Sequence, residues 1–256
     1  MTMRHVSLLG VRLADLDAAA AAALIAARPD GAPFRYVLTP NADNFVRLVR
    51  DPDMRGIYDR AWLRLLDSRV VARVGGLLGL AAPQVAPGSD MTPALLARHV
   101  RPGERITIVG LRPAALPRLV SRFGLAEPFH HDPPMGFERD PLAFRAAVHF
   151  VLDHPSRLVL LALGSPRQER LANAIAATGR ATGTALCIGA SLDFLTGGAV
   201  RAPLWMQRAG LEWLYRLSVD PKRLGRRYLI DDPPIFGLLL RERLERDHAR
   251  RNRRSV

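Results

Sequence analysis

Leu158-Val159-Leu160-Leu161-Ala162-Leu163-Gly164-Ser165-Pro166-Arg167-Gln168-Glu169 is the stretch that decides the fold class. An unbroken apolar run suits a strand covered on both faces. Gly164 supplies a turn, and a helix starts with Ser165 as N-cap and Pro166 at its first position. Amide groups exposed at such a helix start, beside Arg167, make an anion site, although a capped helix with no ligand reads the same way.

Working outward, short apolar runs at Val6–Leu9, Phe34–Leu38, Trp62–Leu66, Ile106–Val109 and Ala185–Ile188 repeat the strand pattern. Helical stretches fall near 15–27, 42–50, 90–100, 113–123, 140–153 and 166–177. This alternation predicts an α/β sandwich around a mostly parallel sheet. From about Ala202 the pattern is helical without further strands. The expected division is a core over 1–201, a basic helical appendage over 202–249, and a disordered tail over 250–256.

Composition narrows the partners. The 256 residues are 48% hydrophobic and 24% charged, ordinary for a globular chain. The net charge of +13 points to a polyanion: nucleic acid, acidic lipid or a phosphorylated substrate. Lys222 is the only lysine, so arginine carries the charge. Cys187, the only cysteine, excludes an internal disulfide and reads as core filler in a cytosolic setting. No apolar run reaches the ~20 residues needed to cross a bilayer, so the expectation is a protein that lies on a membrane rather than spanning it.

Ligands of open parallel sheets bind beyond the carboxyl ends of the strands. There stand Thr39-Pro40-Asn41, Asp67-Ser68, Gly110, Gly164 to Glu169, and Gly189 to Asp193. Asp67 ends an apolar run, where a carboxylate projects into the crevice and serves as a general base, or else caps a helix. Asp193, among apolar neighbours, is either structurally hydrogen-bonded or aimed at a ligand hydroxyl. Gly110 closes a strand as glycine does where a nucleotide approaches the backbone, but Gly110-Leu111-Arg112-Pro113 lacks the G-x-G-x-x-G fingerprint. Gly75-Gly76 reads as tight helix packing, Asp51-Pro52-Asp53 as a helix cap, and His130-His131-Asp132 lacks further ligands at metal spacing.

Gly210 to Tyr228 places Arg216, Arg223 and Arg226 beside Trp213 and Tyr215. As one helix these arginines share a face and suit a phosphate ligand or a charged membrane; a solvated basic face is the alternative. Downstream, the apolar run Ile235–Leu240 precedes seven arginines and three acids, a combination that suits anionic lipid.

These residues together resemble the WecG/TagA/CpsF family of bacterial glycosyltransferases along nearly the whole chain. The resemblance is carried by Thr39-Pro40-Asn41, Asp67, Gly88-Ser89-Asp90, Leu163 to Glu169, Asp193 to Gly197, Arg201-Ala202-Pro203, Gly210 to Leu217, Pro221, Arg223 and Arg226-Arg227-Tyr228. It implies a Rossmann-like core with a membrane-contacting appendage. It also implies inverting transfer of a hexose-type sugar from a UDP-sugar to a polyprenyl-pyrophosphate-linked saccharide, at the inner face of the cytoplasmic membrane, with no cofactor and no obligatory metal. Asp67 then corresponds to the base, with Thr39 and Asn41 near the reacting sugar. The donor and pyrophosphate set comprises Gly110, Gly136, Gly164, Arg167, Gln168, Asp193, Arg216, Arg223 and Arg226.

Two positions depart from the family pattern: Ser68 stands where glycine usually follows the aspartate, and Val85 where arginine usually precedes Gly88. An inactive scaffold is therefore one alternative, and the pI of about 11.3 makes a nucleic-acid-binding module another. Aromatic residues at 6%, with no stacking motif, count against nucleic acid as a partner. Homo-oligomerisation is left open by the sequence.

Overall fold

A computed structural model describes residues 3–254. The chain begins with a hairpin, β1 (His5–Leu8) and β2 (Val11–Ala14), followed by α1 (Ala18–Ala26), β3 (Arg35–Leu38), α2 (Ala42–Arg50), α3 (Pro52–Arg60), β4 (Leu63–Arg64), α4 (Arg69–Leu77) and α5 (Gly88–Arg98). Then come β5 (Thr107–Gly110), α6 (Leu116–Phe123), β6 (Phe129–His131), α7 (Pro141–Asp153), β7 (Leu158–Ala162), α8 (Arg167–Ala177), β8 (Thr184–Cys187) and α9 (Ser191–Thr196). The last part holds α10 (Leu204–Ala209), α11 (Glu212–Val219), α12 (Pro221–Arg226), a π-helical turn (Arg227–Asp231) and α13 (Pro234–Arg254).

Strands β3 to β8 form one sheet in the order β4-β3-β8-β7-β5-β6, every neighbouring pair parallel. Helices cover both faces, giving the expected Rossmann-like α/β fold. Beyond their first residues the central strands are apolar, because successive side chains enter opposite cores. Val159 and Leu161 of β7 join one core with Tyr36, Leu38 and Cys187, whereas Leu158 and Leu160 join the other with Val37 and Leu186. The first core is closed by α2, α3, α7 and α8, the second by α1, α5, α6 and α9. Cys187 is a buried free thiol, as core filler should be.

Two strands escape the apolar pattern. β2 pairs antiparallel with β1 across a turn in which Leu9 and Gly10 both have positive φ. β6 is the three-residue edge strand Phe129-His130-His131, beside β5. Its histidines lack further ligands at metal spacing, and His130 Nε2 lies 3.1 and 2.8 Å from the Gly110 and Leu111 carbonyl oxygens. The smaller readings hold: Asp51 caps α3 through Met54 N–H, and Gly75 packs against Leu8 and Leu239.

No strand follows β8 among the described residues, in keeping with a helical C-terminal part. However, α13 is no detached arm. Ile235 and Leu239 are buried in the first core with Tyr36 and Phe45. Glu242 accepts from Leu9 N–H at 2.6 Å, and Arg246 donates to the Ser7 carbonyl at 2.7 Å, strapping α13 to the β1–β2 hairpin. The tail expected to be disordered from Arg250 continues as helix to Arg254; residues 255 and 256 lie outside the described residues. Among the described residues no helix is long and apolar enough to cross a membrane.

Candidate active site

A cleft of about 510 Å³ opens at the carboxyl ends of β3, β4, β7 and β8, walled on its outer side by α11, α12, the π-helical turn and the start of α13. It gathers Thr39, Asn41, Asp67, Gly164, Arg167, Gln168, Arg216 and Arg223, eight of the residues singled out from sequence. The volume falls within the roughly 300–1,000 Å³ of small-molecule sites.

Asp67 follows β4 and is partly buried. Its Oδ1 accepts from Gly88 N–H at 3.1 Å, at the start of α5. Burial pushes the carboxyl up to about 6; the Gly88 amide pulls it down, Glu212 pushes it up, and the Arg216 and Arg227 guanidiniums pull it down. A carboxylate with a pKa near 6 is ionised at neutral pH yet basic enough to take a proton in a transition state. Gly88 is a close-approach position: a Cβ there would lie 3.3 Å from Ser191 Oγ and 3.5 Å from Thr39 Oγ1. Ser68 caps α4 by accepting from Val71 N–H at 3.2 Å, so this departure from the family pattern has a local structural role. Val85 bridges to Leu66 in parallel register, and a guanidinium reaches this side of the cleft from Arg69 instead, paired to Asp90 at 2.9 Å. Arg201 meets the other oxygen of Asp90 at 2.6 Å and lies 3.7 Å from Glu212, tying α11 to α5.

On the β3 and β7 side, Asn41 caps α2 in a reciprocal box with Asn44. Asn44 Nδ2 also donates to Ser165 Oγ at 2.9 Å. This corrects the expected cap: Ser165 precedes a cis peptide to Pro166, α8 starts at Arg167, and no side chain caps it. The Ser165 hydroxyl is turned towards α2 instead. Gln168 Oε1 accepts from Gly189 N–H at 2.9 Å, joining the start of α8 to the loop after β8. Glu169 is buried, and desolvation raises its carboxyl pKa; its Oε2 has no hydrogen-bond partner.

The Gly210–Tyr228 stretch is not one helix. Pro221 disfavours helical backbone at the residue before it, and Asp220 sits at φ −139°, ψ 67° between α11 and α12. The π-helical turn then shifts the register again. Arg216 and Arg223 therefore reach the cleft, but Arg226 is 82% exposed beside Asp231. Arg227 turns inward in its place, its Nη2 donating to Asn41 Oδ1 at 3.2 Å. The sequence reading counted Arg227 and Glu212 in the family pattern without giving them a role, and did not single out Asp232, Arg69 or Asn44; all five line the cleft. The π insertion leaves no apolar periodicity by which to choose Arg227 over Arg226.

Gly110, the last residue of β5, Gly136, beyond β6, and Asp193, on α9, stand outside the lining. The glycine at 110 answers to the neighbouring strand: at φ +88° a Cβ would come within 2.7 Å of the Ala162 carbonyl oxygen. Asp193 Oδ1 and Arg112 Nη2 both approach Gly198, lying 3.3 and 3.2 Å from where its Cβ would be. Among the described residues no three His, Cys, Asp or Glu side chains gather as a metal-binding group.

In comparison with known proteins, the model of the Glycosyl transferase WecG/TagA/CpsF family matches residues 6–249, which includes every wall of the cleft.

Proposed function

The chain belongs to the WecG/TagA/CpsF family of glycosyltransferases, enzymes of cell-surface polysaccharide synthesis, and on that premise we propose that it moves a hexose-type sugar from a UDP-sugar to a polyprenyl-pyrophosphate-linked saccharide, with inversion and without an obligatory metal. The observation that carries this reading is the placement of Asp67 in one cleft with Arg216, Arg223 and Arg227. Asp67 takes the proton from an acceptor hydroxyl as its oxygen attacks the anomeric carbon; the bond to UDP breaks with its electron pair on the diphosphate. Arg216 and Arg223 meet that charge. A single in-line displacement inverts the anomeric centre and needs one base.

A peripheral position at the cytoplasmic face of the membrane is part of the same proposal. Among the described residues, nine of the fourteen exposed large apolar side chains lie between Leu204 and Leu244, including Trp205, Leu229, Ile230, Phe236 and Leu240. Exposed Arg223, Arg226 and Arg241 accompany them. Juxtaposed apolar and cationic groups suit anionic lipid, at about 1 kcal/mol per basic side chain.

The deciding experiment presents the purified protein with a panel of UDP-sugars and a short-chain polyprenyl-pyrophosphate saccharide, with and without EDTA. Mass spectrometry reads transfer and NMR reads the anomeric configuration. A product with the donor's configuration would contradict the single displacement, and loss of turnover in EDTA would contradict metal independence.

A further inference from the structure

Arg227 and Asp232 flank the π-helical turn, and both line the cleft. Their ion pair stops at 3.7 Å, Nε to Oδ2, too long for a hydrogen bond. Each leaves one buried polar atom without a hydrogen-bond partner: Nε of Arg227, a donor, and Oδ1 of Asp232, an acceptor. The Asp232 side chain is only 13% exposed, so bulk water serves it poorly. Arg227 Nη2 is already engaged with Asn41 Oδ1. A group that accepts from a guanidinium and donates to a carboxylate satisfies both orphans, and a hydroxyl does that. Phosphate is repelled by Asp232, an ammonium by Arg227, and an apolar group leaves both atoms unsatisfied.

We propose that Arg227 and Asp232 form a subsite for one hydroxyl of the acceptor saccharide, a reading that rests on the transfer reaction above. Arg227 donates to Asn41, and the carbonyl of the adjoining Pro40 accepts from Asp67 N–H at 2.9 Å, so the subsite and Asp67 meet at the same strand-end loop of the cleft. The subsite lies against the start of α2, through the Arg227–Asn41 bond. Phe236 lines the same cleft and is half exposed, so this end of the cleft runs into the outer apolar surface, from which a lipid-carried acceptor arrives. The remaining charged groups acting on Asp232 are Asp43 and Arg47 of α2 and Asp231 of the turn. Burial, eased by Arg227 and reinforced by the two acids, holds the carboxyl at about 6, so it is an acceptor at neutral pH.

The test compares wild type and Asp232→Asn on a short-chain polyprenyl-pyrophosphate saccharide and on analogues lacking single sugar hydroxyls, at saturating donor. Wild type should disfavour one deoxy acceptor by roughly 10–100-fold in kcat/KM, the range of a hydrogen bond to a charged group. Asp232→Asn should raise the KM of the full acceptor by a similar factor, leave the donor KM within about twofold, and no longer tell that deoxy analogue from the full acceptor. Equal discrimination by both proteins would show that a water serves these atoms, and the subsite would be withdrawn. A parallel fall in melting temperature with both KM values raised would make the pair a structural latch and equally overturn it. The deoxy series on wild type reads the subsite without any substitution. If wild type transfers no sugar from any donor, the functional reading fails first and takes this inference with it.

Discussion

The two sides of the cleft are built on different principles. On the core side, Thr39, Asn41, Asp67 and Gln168 follow parallel strands whose direction and depth are fixed by two buried cores. On the appendage side, Glu212, Arg216, Arg223, Arg227 and Asp232 hang on short helices broken at Asp220 and re-phased by a π-helical turn. A strand end admits little choice about which residue reaches the crevice, whereas a broken helix lets one inserted residue exchange Arg226 for Arg227.

The sharpest way to probe the core side is Asp67→Asn. Turnover should fall roughly 10²–10⁴-fold, the contribution of a positioned base. Stability should move the other way. The folded pKa of about 6 lies above the ordinary aspartate value of 3.8, so Asp67 favours the folded state below about pH 4, and that contribution is lost as pH rises through 6. At pH 7.5 the Asn variant should match or exceed wild type, by at most about 3 kcal/mol at 1.4 kcal/mol per pKa unit. Thermal melts at pH 4 and 7.5 check this, and a variant that is less stable only at the higher pH would contradict it. The kcat/KM of wild type should rise with pH through an apparent pKa near 6.

The next largest effect belongs to an appendage residue that behaves as core. Leu239→Ala should cost about 2–5 kcal/mol in urea unfolding while the folded variant keeps its KM values. For that reason deleting residues 234–256 is a poor test of membrane binding, since it also uncovers Tyr36 and Phe45.

Within the appendage, Arg227→Ala should lower kcat/KM by roughly 10–100-fold, the scale of a hydrogen bond to a charged group. Arg226→Ala should stay within about threefold, as surface substitutions do. Reversed values in steady-state kinetics would undo the register assigned to the π-helical turn. The smallest change expected is in membrane affinity. Trp205→Ser combined with Ile230→Ser should reduce flotation with anionic vesicles several-fold, yet leave transfer to a soluble short-chain acceptor unchanged. Neither residue lines the cleft.

How much the sequence could say follows the same division. The apolar runs of β3, β5, β7 and β8 announce themselves because each is buried on both faces, and the positions just beyond β3, β4 and β7 then point to Thr39, Asn41, Asp67, Gly164 and Gln168. β6 stayed hidden because it has three residues, two of them histidine, at the sheet edge. Ser165 looked like a helix cap, but its partner, Asn44, lies 121 residues away, which local pattern reading does not reach. Gly110 was read as an opening for a ligand, whereas the demand for glycine comes from the Ala162 carbonyl of the adjacent strand.

The anchoring of Ile235 and Leu239 beneath the sheet has a temporal consequence. A nascent chain lacks the hydrophobic closure of its first layer until synthesis has passed residue 239 of 256. Asp232, whose carbonyl accepts from Ile235 N–H at 3.0 Å, is tied directly to that anchor. A chain cut short before residue 235 is therefore expected to lack both a sealed interior and an anchored rim on that side of the cleft.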